Sequence, residues 1–293
     1  MRLTFHIFLL PFVAIFTGTV IAADLAPSLV PQSAFFGGLG VSGSSVDFKN
    51  QHVYAGGNTW QPGPVIGWGA GSTDFMLDIS SALVPLIQAG YFQHFSSSQW
   101  MWGGKMSYSY LNINANRNLL IPQTGGVTET MNGVTSTYPF AGNYTVQTYQ
   151  QKINHQISLI PLIARSFEKS YLYLGGGPAF VQTKLSIENM ASPIAFANGL
   201  PISPTGVGNG SNYSTNQWLF GGVAMIGATY FINATWFLDL SYSYLMTNTT
   251  ASSWSGPWSD TLPSGSMRIG NNAGTSSGSV NVQAFSVSMN AVF

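Results

Sequence analysis

The 293-residue chain contains no cysteine, which excludes a disulfide scaffold and thiolate metal sites. Charge is nearly as scarce. Nine Lys+Arg and nine Asp+Glu amount to 6% of the residues, where an ordinary soluble domain carries about 25%. A formal net charge of zero leaves no basic field to hold nucleic acid. Beyond the N-terminus no stretch reaches 18 apolar residues, so no membrane-spanning helix is expected. What is present is 45% hydrophobic and 14% aromatic, with 33 Gly, 19 Phe and 13 Tyr. Such a chain is too apolar for disorder. It suits strands that turn one face to an apolar medium.

The first residues, Met1-Arg2-Leu3-Thr4-Phe5-His6, precede an apolar run over 7–16 and a small-residue exit at Ile21-Ala22-Ala23. A basic start, short apolar centre and small exit describe a cleaved secretory signal. The predicted organisation is a signal peptide over 1–23 and one exported domain over 24–293. Loss of Arg2 would leave eight of the nine basic groups beside nine acidic ones.

Period-2 alternation is the main structural signal. Phe285, Val287, Met289, Ala291 and Phe293 share one face, with Ser286, Ser288 and Asn290 on the other. Trp236, Leu238, Leu240, Tyr242 and Tyr244 oppose Asp239, Ser241 and Ser243. Trp102, Gly104, Met106, Tyr108 and Tyr110 oppose Gly103, Lys105, Ser107 and Ser109. Ile153, Ile157, Leu159 and Ile163 oppose Asn154, Gln156 and Ser158. The polar faces hold small uncharged groups, as a crowded barrel lumen requires and open water does not.

Four further strands are expected near 34–48, 78–95, 171–187 and 215–231. Short turns fall near 96–99, 166–170 and 232–235, and long polar loops near 49–77, 114–147, 188–214 and 248–278. The prediction is an all-β, eight-stranded antiparallel transmembrane β-barrel, an up-and-down meander with four long neutral loops outside. Ten strands is the alternative, if Val65-Ile66-Gly67-Trp68 is a strand. Pro85, Pro161 and Pro178 lack a ladder donor and are expected at bulges or rims.

The terminal strand, residues 283–293 ending in Phe293, together with the run Trp236–Tyr244, resembles the small outer-membrane β-barrels of Gram-negative bacteria, of the OmpA-transmembrane or opacity-protein type. The resemblance implies that Phe285, Val287, Met289, Ala291 and Phe293 form the assembly signal read by the barrel-insertion machinery. It implies residence in the cell outer membrane among outer-membrane lipid and lipopolysaccharide. It implies little about role, because such proteins include adhesins, anchors, narrow pores and a few enzymes. No peptidoglycan-binding domain follows Phe293, so anchoring of that kind is not expected.

Catalytic and cofactor signals are weak. Gly38-Leu39-Gly40-Val41-Ser42-Gly43 matches G-x-G-x-x-G but lacks the strand–helix setting of a dinucleotide site, and reads as a glycine-rich barrel strand. His52, His94 and His155 are far apart, so no metal site is expected. His155 and Ser158, three apart in one strand, fall on opposite faces, which argues against a Ser–His lipid hydrolase. No cofactor is expected.

Lys105 and Asp239 sit on the polar faces of their strands at similar height. Each must find a partner inside the lumen, and they are expected either to meet in a polar network or to pair separately with groups such as Asp78, Lys152 or Lys184. The strand-end aromatics, Tyr171 and Tyr173 included, read as interfacial girdles. Trp254 and Trp258 in the last loop are candidate ligand contacts, or fold down over the rim. The leading expectation is a non-enzymatic structural or adhesive surface protein, with a possible host or cell-surface ligand. A narrow pore for small solutes is the alternative, and a lipid-modifying enzyme comes third.

Overall fold

The computed structural model describes residues 28–62, 65–96, 98–191, 195–197, 200–202, 212–261 and 265–293. The expected signal peptide over 1–23 and much of the expected loop over 188–214 lie outside these residues. In chain order the strands are β1 (Ser33–Gln61), β2 (Val65–Phe75), β3 (Ser80–His94), β4 (Trp100–Met131), β5 (Val134–Ser166), β6 (Ser170–Ala191), β7 (Ala195–Ala197), β8 (Leu200–Ile202), β9 (Tyr213–Phe231), β10 (Trp236–Thr247), β11 (Thr250–Thr261) and β12 (Met267–Val292). Among the described residues no helix is long and apolar enough to cross a membrane. Among these residues strands are the elements able to cross one.

Eight strands close a ring in the order β1-β3-β4-β5-β6-β9-β10-β12, and β12 returns to β1 through an antiparallel ladder that begins at Phe36↔Val292. Closure removes every sheet edge at this level. The outer face carries exposed Leu39, Val41, Leu83, Ile87, Met106, Phe180, Phe220, Ile226, Leu240 and Phe285, an apolar belt. Near the short-turn end the belt is rimmed by Phe35, Trp100, Trp102, Tyr230, Trp236 and Phe293. Such a belt with an aromatic girdle is the lipid-facing surface of a membrane barrel.

The short turns fall where expected, between β3 and β4, β5 and β6, and β9 and β10. Three of the four long connections do not behave as loops. β1 continues to Gln61 and turns into β2; β4 continues to Met131 and meets β5 across Asn132-Gly133; β11 lies along the upper half of β12. Asn132 and Gly133 have φ of 51° and 79°, the paired positive values of a two-residue type I′ hairpin. The sheet therefore has ten strands, the additional two being β2 and β11, and both lie above the eight-stranded ring. Only β2 was legible, as the tetrapeptide Val65–Trp68.

Bulges explain why these extensions escape a period-2 reading. Pairing shifts between Lys49 and His52, between Tyr110 and Ile113, between Arg117 and Leu119 and between Ile153 and His155. The shifts reverse the in–out alternation on β1 beyond Asn50 and on β5 beyond Asn154 and again above Tyr149, while β4 keeps its odd residues inward throughout. Ile153 is a direct casualty: assigned to the lipid face with Ile157 and Leu159, it is fully buried inside the barrel, because the bulge at Asn154 flips the strand.

The prolines are also placed differently from expectation. Pro161 and Pro178 lie in facing stretches of β5 and β6, where rungs stop at Ser158↔Ala179 and resume in the same register at Leu162↔Gly175. They mark a break in the ladder, not a bulge or a rim. Pro85 sits where β3 and β4 part above Leu86↔Ser109, so the donor it lacks is not needed on that side.

If 113–131 and 134–153 are strand, their amides in the refolded barrel should exchange roughly 100-fold or more slower than in free peptide, about 2.8 kcal/mol of opening free energy. Hydrogen exchange at loop rates across both segments would contradict the extended ladder.

Candidate functional site

The interior is filled in layers, built from the inward parity of each strand. At the short-turn end Phe36, Phe92, Tyr171, Phe231 and Phe237 form an aromatic plug, all at most 3% exposed. Phe231 and Phe237 stack at 4.9 Å and Phe36 meets Phe237 edge-on at 5.5 Å. Val30 is buried against this plug, and the residues before β1 tie to the turns through Leu29 N to Glu168 O and His94 N to Gln32 O, both 2.8 Å.

Above the plug lies a charged layer. Lys105 on β4 and Asp239 on β10 are each 3% exposed at the side chain, and Lys105 Nζ donates to Asp239 Oδ2 at 2.9 Å. Of the alternatives left open by the sequence, the structure brings these two together directly. Tyr173 joins them: its hydroxyl accepts from Lys105 at 2.7 Å and donates to Asp239 Oδ1 at 2.8 Å. Gln88 Nε2 lies 2.9 Å from Asp239 Oδ2, 2.7 Å from Ser288 Oγ and 2.8 Å from Asn290 Oδ1. Both carboxylate oxygens are thus supplied with donors, the condition for holding an ion pair out of water.

Two glycines make these contacts sterically possible. Gly38 stands between Gln88 and Asn290 in register, and a Cβ there would lie 2.0 Å from Asn290 Oδ1. Gly227 is directly opposite Tyr173, and a Cβ there would lie 2.4 Å from the Tyr173 hydroxyl. Gly38 and Gly40 therefore serve close packing on the lumen side, Gly43 faces out, and β1 continues as strand through the pattern.

Tyr171 and Tyr173 were expected in the outer girdle, and the structure puts both inside. Leu172 and Leu174 are their exposed neighbours, so parity along Tyr171-Leu172-Tyr173-Leu174 carries the correct assignment and position near a strand end does not. The aromatic plug was missed for the same reason: Phe237 shares the parity of Asp239, Ser241 and Ser243.

Over the charged layer, Ser42, Ser44, Ser107, Ser109, Ser158 and Ser241 line a cavity of about 20 Å³, into which buried Gln156 brings an unpaired Oε1. That volume suffices for about one water. Higher still, Val46, Phe48, Leu111, Ile113, Ile153, Leu245, Val280 and Val282 close the bore again with apolar side chains. Beyond them the Tyr149 hydroxyl shares a hydrogen bond with Ser276 Oγ at 2.7 Å, and burial pushes its pKa up to about 12. On the outer surface beside this level Asp47 lies 2.6 Å from Lys49 and raises the lysine's pKa through its hydrogen bond and charge, an exposed pair of little energetic consequence.

The remaining candidates divide cleanly. Phe285, Val287, Met289 and Phe293 are exposed on the lipid face of β12, with Ala291 half-buried in the same row. Ser158 is buried in the lumen while His155 lies outside against Tyr108 and Tyr110, its Nδ1 2.8 Å from the Tyr108 hydroxyl. The two do not meet. Among the described residues no group of three or more His, Asp or Glu is arranged to hold a metal ion.

Trp254 and Trp258 are 7% and 6% exposed, packed over Gly274 and Gly270, and so fold onto the wall. The exposed tryptophans of the outer extension are Trp60 at 43% and Trp68 at 53%, neither singled out from the sequence. Ile66, Trp60 and Ile269 are register neighbours across β2, β1 and β12, and Trp68, Asn58 and Asn271 form the row beside them. A shallow depression of about 560 Å³ opens here between Trp60, Pro257, Ile269 and Asn271.

A closed ladder, an apolar outer belt and a filled bore define a small β-barrel with the surface of a membrane-spanning protein. Among solved structures the chain is similar to Ail of Yersinia pestis (12% identity over 87% of this chain and 99% of that one, TM-score 0.29). It is also similar to neisserial surface protein A (13%, 82% and 96%, TM-score 0.26) and to the outer membrane protease OmpT of Escherichia coli (9%, 87% and 97%, TM-score 0.25). No family model and no curated protein matches the chain.

Replacing Lys105 by Met or Asp239 by Leu strands a buried charge, and each change should cost about 3–5 kcal/mol in denaturant unfolding of the refolded barrel. The double variant K105M/D239L should lose less than the sum by about 1–3 kcal/mol. Strict additivity would contradict direct coupling.

Proposed function

We propose that the chain is a non-enzymatic surface protein of the outer membrane, structural or adhesive, that acts through the sheet it raises outside and not through its bore. One observation carries this reading: the bore is occupied by side chains from the aromatic plug to the upper apolar layer, while an exposed aromatic face stands at the far end of the extension. Trp60 lies roughly 35 Å along β1 from the Lys49 bulge, at 3.3 Å per residue. Its row with Ile66, Trp68 and Ile269 is an apolar patch in water, the kind of surface that marks a contact site. Asn58 and Asn271 beside the tryptophans add hydrogen-bonding groups to the same face. These two rows carry no charge, which favours a neutral partner on a cell surface over one drawn by electrostatic steering.

The test pairs two measurements on the refolded barrel in lipid. Planar bilayers should record no steady channel, and vesicles displaying the protein should adhere to a cultured cell layer, with W60S/W68S lowering retention roughly fivefold or more, about 1 kcal/mol. Steady conductance would favour a narrow pore. Retention unchanged by W60S/W68S would overturn the role of this face.

A further inference from the structure

Across β4, β5, β6 and β9 the outer surface changes character row by row. Tyr108, Ile157, Phe180 and Phe220 are register neighbours and make an apolar row. Next above is Tyr110, His155, Gln182 and Trp218, a mixed aromatic and polar row of the kind that marks a membrane interface. Above the bulges at Asn112 and Asn154 comes Asn114, Lys152, Lys184 and Asn216.

Lys152 and Lys184 are directly opposite each other on neighbouring strands, and Ile153 and Thr183 beside them point inward, so both lysines face out. Like charges in this position destabilise a sheet unless something neutralises them. Neither lysine has a carboxylate within ion-pair distance among the described residues. The nearest acid on these two strands, Glu188, is four residues on from Lys184, roughly 13 Å along the strand. In a chain with nine Lys+Arg in all, two facing cations at the edge of the lipid belt, flanked by two amides, make a place that an anion from outside the protein would stabilise.

We infer that the row Asn114–Lys152–Lys184–Asn216 binds a phosphate group on the headgroup of an outer-leaflet lipid. The lysines supply charge and the asparagines hydrogen bonds, at the height where headgroups meet the girdle. The apolar row below leaves the acyl chains of the same lipid against Phe180 and Phe220. The inference takes from the proposed function only that the extended end faces outside, and is independent of the role of Trp60 and Trp68.

The probe is diphosphoryl lipid A added to the full barrel in neutral detergent, with retained lipid measured by native mass spectrometry. K152Q/K184Q should lower retention roughly tenfold or more, whereas K152R/K184R and the control K49Q/K169Q should keep it. Migration of unheated samples on gels verifies that each variant is folded. Without lipid the Gln variant should melt no lower than the native chain, since repulsion is relieved; with lipid the native chain should gain more. Equal retention by K152Q/K184Q, or equal retention of dephosphorylated lipid by the native chain, would overturn the inference. Displacement of the lipid by millimolar inorganic phosphate would instead indicate a free-anion site and would also overturn it. W60S/W68S should retain lipid A as the native chain does, so failure here is separable from failure of the adhesive reading.

Discussion

Closing eight strands into a ring leaves an interior just wide enough for side chains to fill, and everything inside must then be satisfied by neighbours and not by water. The Lys105–Asp239 pair is where this constraint is sharpest. Its charges sit mid-bore and are balanced only because Tyr173 and Gln88 complete their hydrogen bonds. Those two side chains reach the pair only across positions where glycine leaves space. The aromatic plug below and the serine layer above both depend on that centre holding four strands in fixed relation, since β3, β4, β6 and β10 each contribute one member.

The outer surface follows the complementary rule. Where it meets lipid it is apolar and free of charge; where it leaves lipid charges appear, the Asp47–Lys49 pair on β1 and the lysines of β5 and β6. Beyond that level the strands do not dissolve into loops but continue as a ladder, with β2 and β11 supplying additional strands. A ladder of this kind presents side chains in fixed rows, which is why Trp60, Ile66 and Ile269 form a face and not a set of mobile contacts.

The ring was legible in the sequence because its alternation is strict and its turns are short. Phe285–Phe293 and Trp236–Tyr244 read correctly residue by residue, and lumen-facing Lys105 and Asp239 stood out because charges are so few. The extensions were not legible for two physical reasons. Their inward apolar rows are interrupted, as exposed Arg117 interrupts Leu111, Ile113, Ala115, Leu119 and Ile121 on β4, and bulges at Asn50 and Asn154 change the phase of the alternation on β1 and β5. Asn50 and Asn112 have positive φ, yet asparagine in a polar run reads equally well as a loop residue. The partners Tyr173 and Gln88, and the burial of Trp254 and Trp258, required knowledge of which strands neighbour which, and composition does not contain it.

The central claim, a bore sealed on both sides of the charged layer, can be tested directly because the chain has no cysteine. Single cysteines placed by S109C and S243C, both in the serine layer, can be exposed to a water-soluble thiol reagent from either side of a reconstituted membrane. Neither should react appreciably until the barrel is unfolded, whereas a cysteine at exposed Ser259 should react at once. Rapid modification of Ser109→Cys or Ser243→Cys in the folded protein would mean that water crosses the layer, and would contradict it.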